Sequence, residues 1–202
     1  HWDTASGVFR AAHEVQHLSY GPHPRMIVDL FRPQHEPRGL CVFVHGGFWQ
    51  MLSGADFAHL AAGPLALGQA VALVTYPLAP DADLPRISDC IRGAICEAAS
   101  HVAGPIYLAG HSAGGHLVTR MICQGVLPDA LAARVQHVMS ISGVHDLRPL
   151  LLTEMAETLS LTPEVARIES PALLSPIQGA RVTCVVGADE RPEFLRQNAL
   201  LA

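Results

Sequence analysis

Short runs rich in β-branched and aromatic residues alternate along the chain with longer stretches in which apolar residues recur every three or four positions. The short runs predict strands over roughly 15–20, 26–32, 39–44, 70–75, 105–109, 135–141 and 181–186. Gly21 Pro22 His23 Pro24 supplies turn chemistry between the first two, which read as an antiparallel hairpin. Cys41 to Val44 and Val71 to Val74 are apolar at every position, the pattern of strands covered on both faces, so they belong in the parallel centre of a sheet. Leu84, Ile87, Ile91, Ala94, Ile95 and Ala98 mark one stripe of a helix that Asp83 can cap and whose first turn tolerates Pro85. Residues 149–176 carry Leu150 to Leu152, Met155, Leu159, Val165 and Ile168 between two strands where a crossover needs fewer residues, and predict a small helical cap. Strands alternating with helices give an α/β class: a mostly parallel central sheet with helices on both faces, in one domain spanning 1–202.

Composition adds limits. With 50% hydrophobic and 15% charged residues the chain buries much of itself. A net charge of -5 without a like-charge run leaves no electrostatic footprint for nucleic acid or an anionic membrane, so the expected partner is a small molecule. Five scattered cysteines with no CxxC pair read as free thiols and favour a cytoplasmic setting. The start, His1 Trp2 Asp3 Thr4, has neither a signal segment nor a methionine, and reads as clipped.

The chemistry centres on Gly110 His111 Ser112 Ala113 Gly114, which follows an apolar strand and opens a helical stretch. This is the GxSxG nucleophile elbow in its strand–turn–helix setting, where the serine adopts strained angles and its neighbours two positions away must lack side chains. One strand earlier, His45 Gly46 Gly47 Phe48 Trp49 is an oxyanion loop of the HGG kind, so the amides of Gly46, Gly47 and Phe48, with that of Ala113, are the expected donors. Phe48, Trp49 and His111 are expected to wall the substrate pocket, although Trp49 packing beneath the loop is an equal alternative.

A serine nucleophile needs a base and an acid that orients it. Glu190, after the last strand, is the first choice for the acid, Asp189 the second and Asp146 a third, which could instead cap the following segment. All 12 histidines lie at or before His145, so none follows the acid as the chain order of this architecture requires. The base is expected beyond Ala202, together with a final strand and helix, and 1–202 alone is expected to be inactive or nearly so. No HExxH or other ligand spacing is present, and neither a metal nor a cofactor is expected.

Taken together, His45 to Gln50, Gly110 to Leu117, Ser142 to Leu150 and Gly187 to Gln197 resemble the serine-type kynurenine formamidase (arylformamidase) esterases over most of the chain. That resemblance implies hydrolysis of N-formylkynurenine or of small carboxylic esters without a cofactor. The family commonly has aspartate where this chain has Glu190, and its histidine lies in a loop beyond the next strand, which this sequence does not contain. A carboxylesterase unrelated to tryptophan breakdown and a noncatalytic binding protein on the same fold are the alternatives.

Overall fold

The structure, a computed structural model, describes residues 2–201. All seven expected strands form: β1 Gln16–Ser19, β2 Ile27–Phe31, β3 Leu40–Val44, β4 Ala70–Thr75, β5 Ile106–His111, β6 Val135–Ile141 and β7 Val182–Val185. They make one sheet in the order β1-β2-β4-β3-β5-β6-β7. The β1–β2 and β2–β4 pairs are antiparallel, and every pair from β4 to β7 is parallel.

The helices are α1 Trp2–Ala12, α2 Ala62–Ala66, α3 Leu84–His101, α4 Ala113–Met121, α5 Asp129–Ala132, α6 Met155–Thr158, α7 Pro163–Ile168 and α8 Pro192–Leu201, with 3₁₀ turns at Gly54–Ala61, Arg148–Leu152 and Pro171–Leu173. The α3 stripe is the one its spacing predicts, and the Asp83 carboxylate accepts from the Arg86 amide at 2.9 Å. Helix α1 was not expected from the sequence. Its inner face carries Trp2, Ser6 and Phe9 at helical spacing: Trp2 packs on Phe57, Phe9 meets Phe31 edge-on at 5.4 Å, and the Ser6 hydroxyl donates to the Asp56 carbonyl at 2.7 Å. Among the described residues, no helix is long and apolar enough to cross a membrane. The five cysteines are unpaired.

The core has two sides. One lies between the sheet and helices α3 and α4, with Val28, Val42, Val44, Ile87, Ile91, Leu108, Leu117 and Val138 buried in it. The other gathers Phe31, Phe43, Phe57, Ala58, Ala61, Val71 and Leu73 under the Gly54–Ala61 turn. Complete burial of an Ile or Leu side chain is worth roughly 1.5–3 kcal/mol, so Ile87, Ile91 and Ile95 each contribute substantially to docking α3. On the second face that packing stops at β5. Beyond it Met139 remains 39% exposed and Val185 42% exposed, so β6 and β7 gain only part of that stabilisation.

Candidate active site

Ser112 sits between β5 and α4 with φ 53° and ψ -116°. A serine in such a conformation costs on the order of 1–3 kcal/mol and persists only where its surroundings hold it. Two backbone bonds do so: the Ser112 amide donates to the Ile141 carbonyl at 2.8 Å, and the Ser112 carbonyl accepts from the His116 amide at 3.1 Å. The flanking glycines are needed for space. A Cβ on Gly110 would lie 2.2 Å from the Gly114 carbonyl oxygen, and one on Gly114 would lie 2.0 Å from that of Val44. The serine therefore stands at the N-terminus of α4, where the helix dipole favours developing negative charge.

The HGG loop lies against it. A Cβ on Gly46 would come 3.1 Å from the Ser112 Cβ. Gly47, Phe48 and Trp49 follow one another in left-handed backbone, with φ of 104°, 57° and 59°, and the Gly47 carbonyl accepts from the Gln50 and Met51 amides at 2.9 and 3.0 Å. Among the described residues, the amides of Gly47, Phe48 and Ala113 donate to no protein group. Unspent N–H groups beside a serine hydroxyl are what stabilisation of an oxyanion requires.

Beneath the loop, polar side chains are buried and, among the described residues, paired except at His45 Nε2, which meets no partner. His45 stacks on Tyr76 at 4.3 Å and donates through Nδ1 to the Gly46 carbonyl at 2.6 Å. Trp49 is buried, its indole N–H directed at His116 Nδ1 at 3.3 Å. His145 lies between Thr119 Oγ1 and Ser140 Oγ, each at 3.2 Å. Burial holds all three imidazoles neutral, with pKa values lowered to about 4 for His45, about 3 for His116 and about 4 for His145.

The three acid candidates fare differently. Glu190 Oε1 accepts from the Ser142 hydroxyl at 2.6 Å and from the Gly187 amide at 3.0 Å, which together hold its carboxyl below the usual range. Ser142 is itself in left-handed backbone, φ 50°. Asp189 is exposed. Asp146 is buried and engaged by its own turn, taking Arg148 Nε and Nη2 at 2.9 Å each and the Arg148 amide at 3.1 Å, so its carboxyl is also held low. These bonds close a turn from Asp146 onto Arg148, the first residue of the 3₁₀ turn, whose N-cap is Leu147. Glu190 is the carboxylate whose field reaches His111.

A cavity of about 240 Å³ brings together Ser112, Phe48, Trp49, Val144, Leu150, Met155 and Phe194, with Asp146, Arg191 and Glu193 also lining it. Trp49 thus does both things weighed for it, packing beneath the loop and walling the cavity. His111 lines a separate recess of about 210 Å³ with Trp2, Phe43, Phe57 and Leu60, because alternation along β5 turns it away from the elbow. Two larger hollows of about 580 Å³ share no residue with the serine cavity. Gln197 was not singled out from the sequence. It is buried on α8, accepts from the His145 and Asp146 amides at 2.7 and 2.8 Å, and donates to the Asp146 carbonyl at 2.9 Å, tying the acid loop's helix to the turn after β6. Its only signal was its place in the trailing PEFLRQ segment.

Among the described residues, the Ser112 hydroxyl makes no hydrogen bond to a histidine, and no three His, Cys, Asp or Glu side chains are gathered as metal ligands would be. The histidine expected beyond Ala202 lies outside the described residues.

Comparison with known proteins agrees with this geometry. Residues 41–181 match the family described as alpha/beta hydrolase fold. A kynurenine formamidase from Danio rerio is 31% identical over 96% of this chain and 70% of its own length, and one from Salmo salar is 30% identical over 93% and 67%. The crystal structure of a thioesterase candidate from Silicibacter superimposes with a TM-score of 0.97 at 44% identity, over 99% of this chain and 78% of that one. The chain belongs to the α/β-hydrolase family, in the branch that its kynurenine formamidase relatives share.

Proposed function

We propose that this chain carries the nucleophile, the oxyanion donors and the triad acid of a serine hydrolase that cleaves small carboxylic esters or aryl formamides of the N-formylkynurenine kind. The observation that carries this reading is the strained Ser112 on an apolar cavity, beside amides that spend their N–H groups on nothing else. Ser112 Oγ attacks the carbonyl carbon, and the amides of Gly46, Gly47, Phe48 and Ala113 receive the charge that moves onto oxygen. The leaving amine or alcohol departs with a proton, and water then releases the acid from the acyl-serine. Glu190 orients the base, with Asp189 as the alternative. Trp49 and Phe48 wall the acyl or aryl portion, His111 borders the site from its neighbouring recess, and residues 149–176 act as its cap.

None of the described histidines is hydrogen-bonded to Ser112 or Glu190, which supports a base supplied from outside residues 2–201; on that reading 1–202 alone turns over at or near background. The same observation is what favours a noncatalytic binding protein as a second reading. The five unpaired thiols favour a cytoplasmic setting. Turnover of p-nitrophenyl acetate and of N-formylkynurenine by the full-length gene product, beside its Ser112→Ala variant, tests the proposal. Ser112-dependent turnover of both is expected. Turnover of the ester alone would make it a general carboxylesterase, and background rates throughout would leave the binding reading.

A further inference from the structure

The Gly47–Trp49 backbone is left-handed at three successive positions, two of them non-glycine, so something must hold it there. The turn's own hydrogen bonds close on Gly47, and at the far end the Trp49 carbonyl accepts from the Ala79 amide at 2.8 Å, which fixes the main chain there and leaves one end to be held, that of the side chain. That end is the Trp49 ring, buried behind the loop, and the partner of its N–H is a side chain of the helix that starts at the nucleophile.

His116 is fully buried one turn into α4. Its Nε2 is 2.7 Å from the Glu169 carbonyl. A carbonyl can only accept, so Nε2 carries the hydrogen, and Nδ1 is left as the bare acceptor that the Trp49 indole N–H needs at 3.3 Å. The rings meet edge-on, with centroids 5.3 Å apart and planes at 77°. Both nitrogens are thus used in one tautomer, and a doubly protonated ring would face the indole donor with a second donor. The Glu169 main chain, at the C-terminus of α7, is anchored independently. Its carboxylate accepts from the Ser88 hydroxyl at 2.6 Å and lies 3.3 Å from Arg120 Nε, an ion-pair contact without hydrogen-bond alignment.

We infer that His116 is the positioning residue of the oxyanion loop, clamping the Trp49 indole to the main chain at Glu169 and so holding the Gly47–Trp49 amides against Ser112. This rests on the reading of Ser112 as nucleophile. His116 touches no reacting atom. Its effect falls on the oxyanion donors and therefore on the transition state more than on substrate binding.

The test uses the full-length gene product and p-nitrophenyl acetate. Trp49→Phe keeps the ring and removes the donor; His116→Leu removes the acceptor; His116→Gln restores one acceptor and one donor at similar reach. His116→Leu is expected to lower kcat about tenfold or more with KM within about twofold, and Trp49→Phe, which also alters the cavity wall, to lower kcat at least as far whatever its KM. The double variant should be no worse than the poorer single one, because both break the same bond, and His116→Gln should recover most of the loss. Unchanged kcat in both single variants, losses that multiply, or a His116→Leu loss carried by KM would overturn the inference. A readout independent of turnover is the nitrogen-15 NMR signal of the indole N–H groups of Trp2 and Trp49, the two tryptophans of the chain. The Trp49 signal, assigned by its loss in Trp49→Phe, should exchange with solvent far more slowly than that of exposed Trp2, and the protection should fall in His116→Leu. Equal exchange of the two indoles in the wild type would overturn the clamp. Wild-type protein without Ser112-dependent turnover would instead sink the hydrolase reading, with the indole signals still deciding the clamp. If His116→Leu does not fold, Trp49→Phe and His116→Gln carry the same comparison.

Discussion

The half of the sheet that ends in Ser112 and the half that ends in Glu190 are built to different standards. Around the serine, β3 and β4 are packed on both faces, the elbow glycines have no room for a Cβ, and His45, His116 and His145 are buried and neutral. Around the acid, β7 is an edge strand of alternating half-exposed and exposed residues, and Glu190 is held by one hydroxyl and one amide at the rim. A strained nucleophile must be over-determined by its surroundings, whereas a carboxylate needs only donors to stay ionised. On the proposed reading, the serine half is assembled within the described residues, and the Glu190 half is the one that would receive a base from elsewhere.

Substitutions that treat the halves unequally sharpen this contrast. The largest effect is expected from Glu190→Gln in the full-length protein, a loss of about 10²–10⁴ in kcat, against changes within about threefold for Asp189→Asn and Asp146→Asn. Equal losses for Glu190 and Asp146 would move the acid to the turn after β6. In stability, Gly114→Ala is expected to cost about 3 kcal/mol or more in urea unfolding, because its Cβ would meet the Val44 carbonyl at 2.0 Å. Gly187→Ala, whose Cβ would meet only the Glu190 side chain at 3.3 Å, should cost less than about 1 kcal/mol.

The two halves should also respond differently to acid. His45, His116 and His145 have folded pKa values of about 4, 3 and 4, below their ordinary 6.5. Their contribution is fully present above 6.5 and is lost as pH falls from there toward 4, because the unfolded chain takes up protons the folded one refuses. Each histidine adds up to about 1.4 kcal/mol per pH unit to that slope. His116→Gln should flatten it by one such increment in urea melts run across that window; an unchanged slope would mean that His116 does not titrate on unfolding. The smallest effect is that of Ser142→Ala. The depressed carboxyl of Glu190 contributes stability above the ordinary carboxylate range and loses it as pH falls through the folded value, so the variant should differ from wild type above pH 5 and converge with it in stronger acid.

The same contrast governs what the sequence could tell. The central strands were legible because their apolar runs are unbroken, β1 because a turn signal pairs it with β2, and the elbow because packing allows only glycine at 110 and 114. Helix α1 was not, since its inner face, Trp2, Ser6 and Phe9, has helical spacing but only two large apolar residues with a serine between them. The roles of Trp49, His116 and Gln197 were not legible either: each depends on one partner distant in the chain, and no local pattern encodes the bond from Trp49 to His116 across 67 positions. The three carboxylates could be ranked but not separated, because what separates Glu190 from Asp146 is the donor each one meets, Ser142 or Arg148.

The central claim is that Ser112 is a preassembled nucleophile whose base is supplied from outside the described residues. Labelling with a fluorophosphonate, mapped to its residue by mass spectrometry, tests it most directly, with 1–202 and the full-length gene product compared at equal concentration. The account predicts rapid, stoichiometric modification at Ser112 in the full-length protein and labelling slower by about 10³-fold or more in 1–202. Equal, rapid labelling of Ser112 in both would place the base within the chain described here, and no labelling of Ser112 in either would contradict the nucleophile itself.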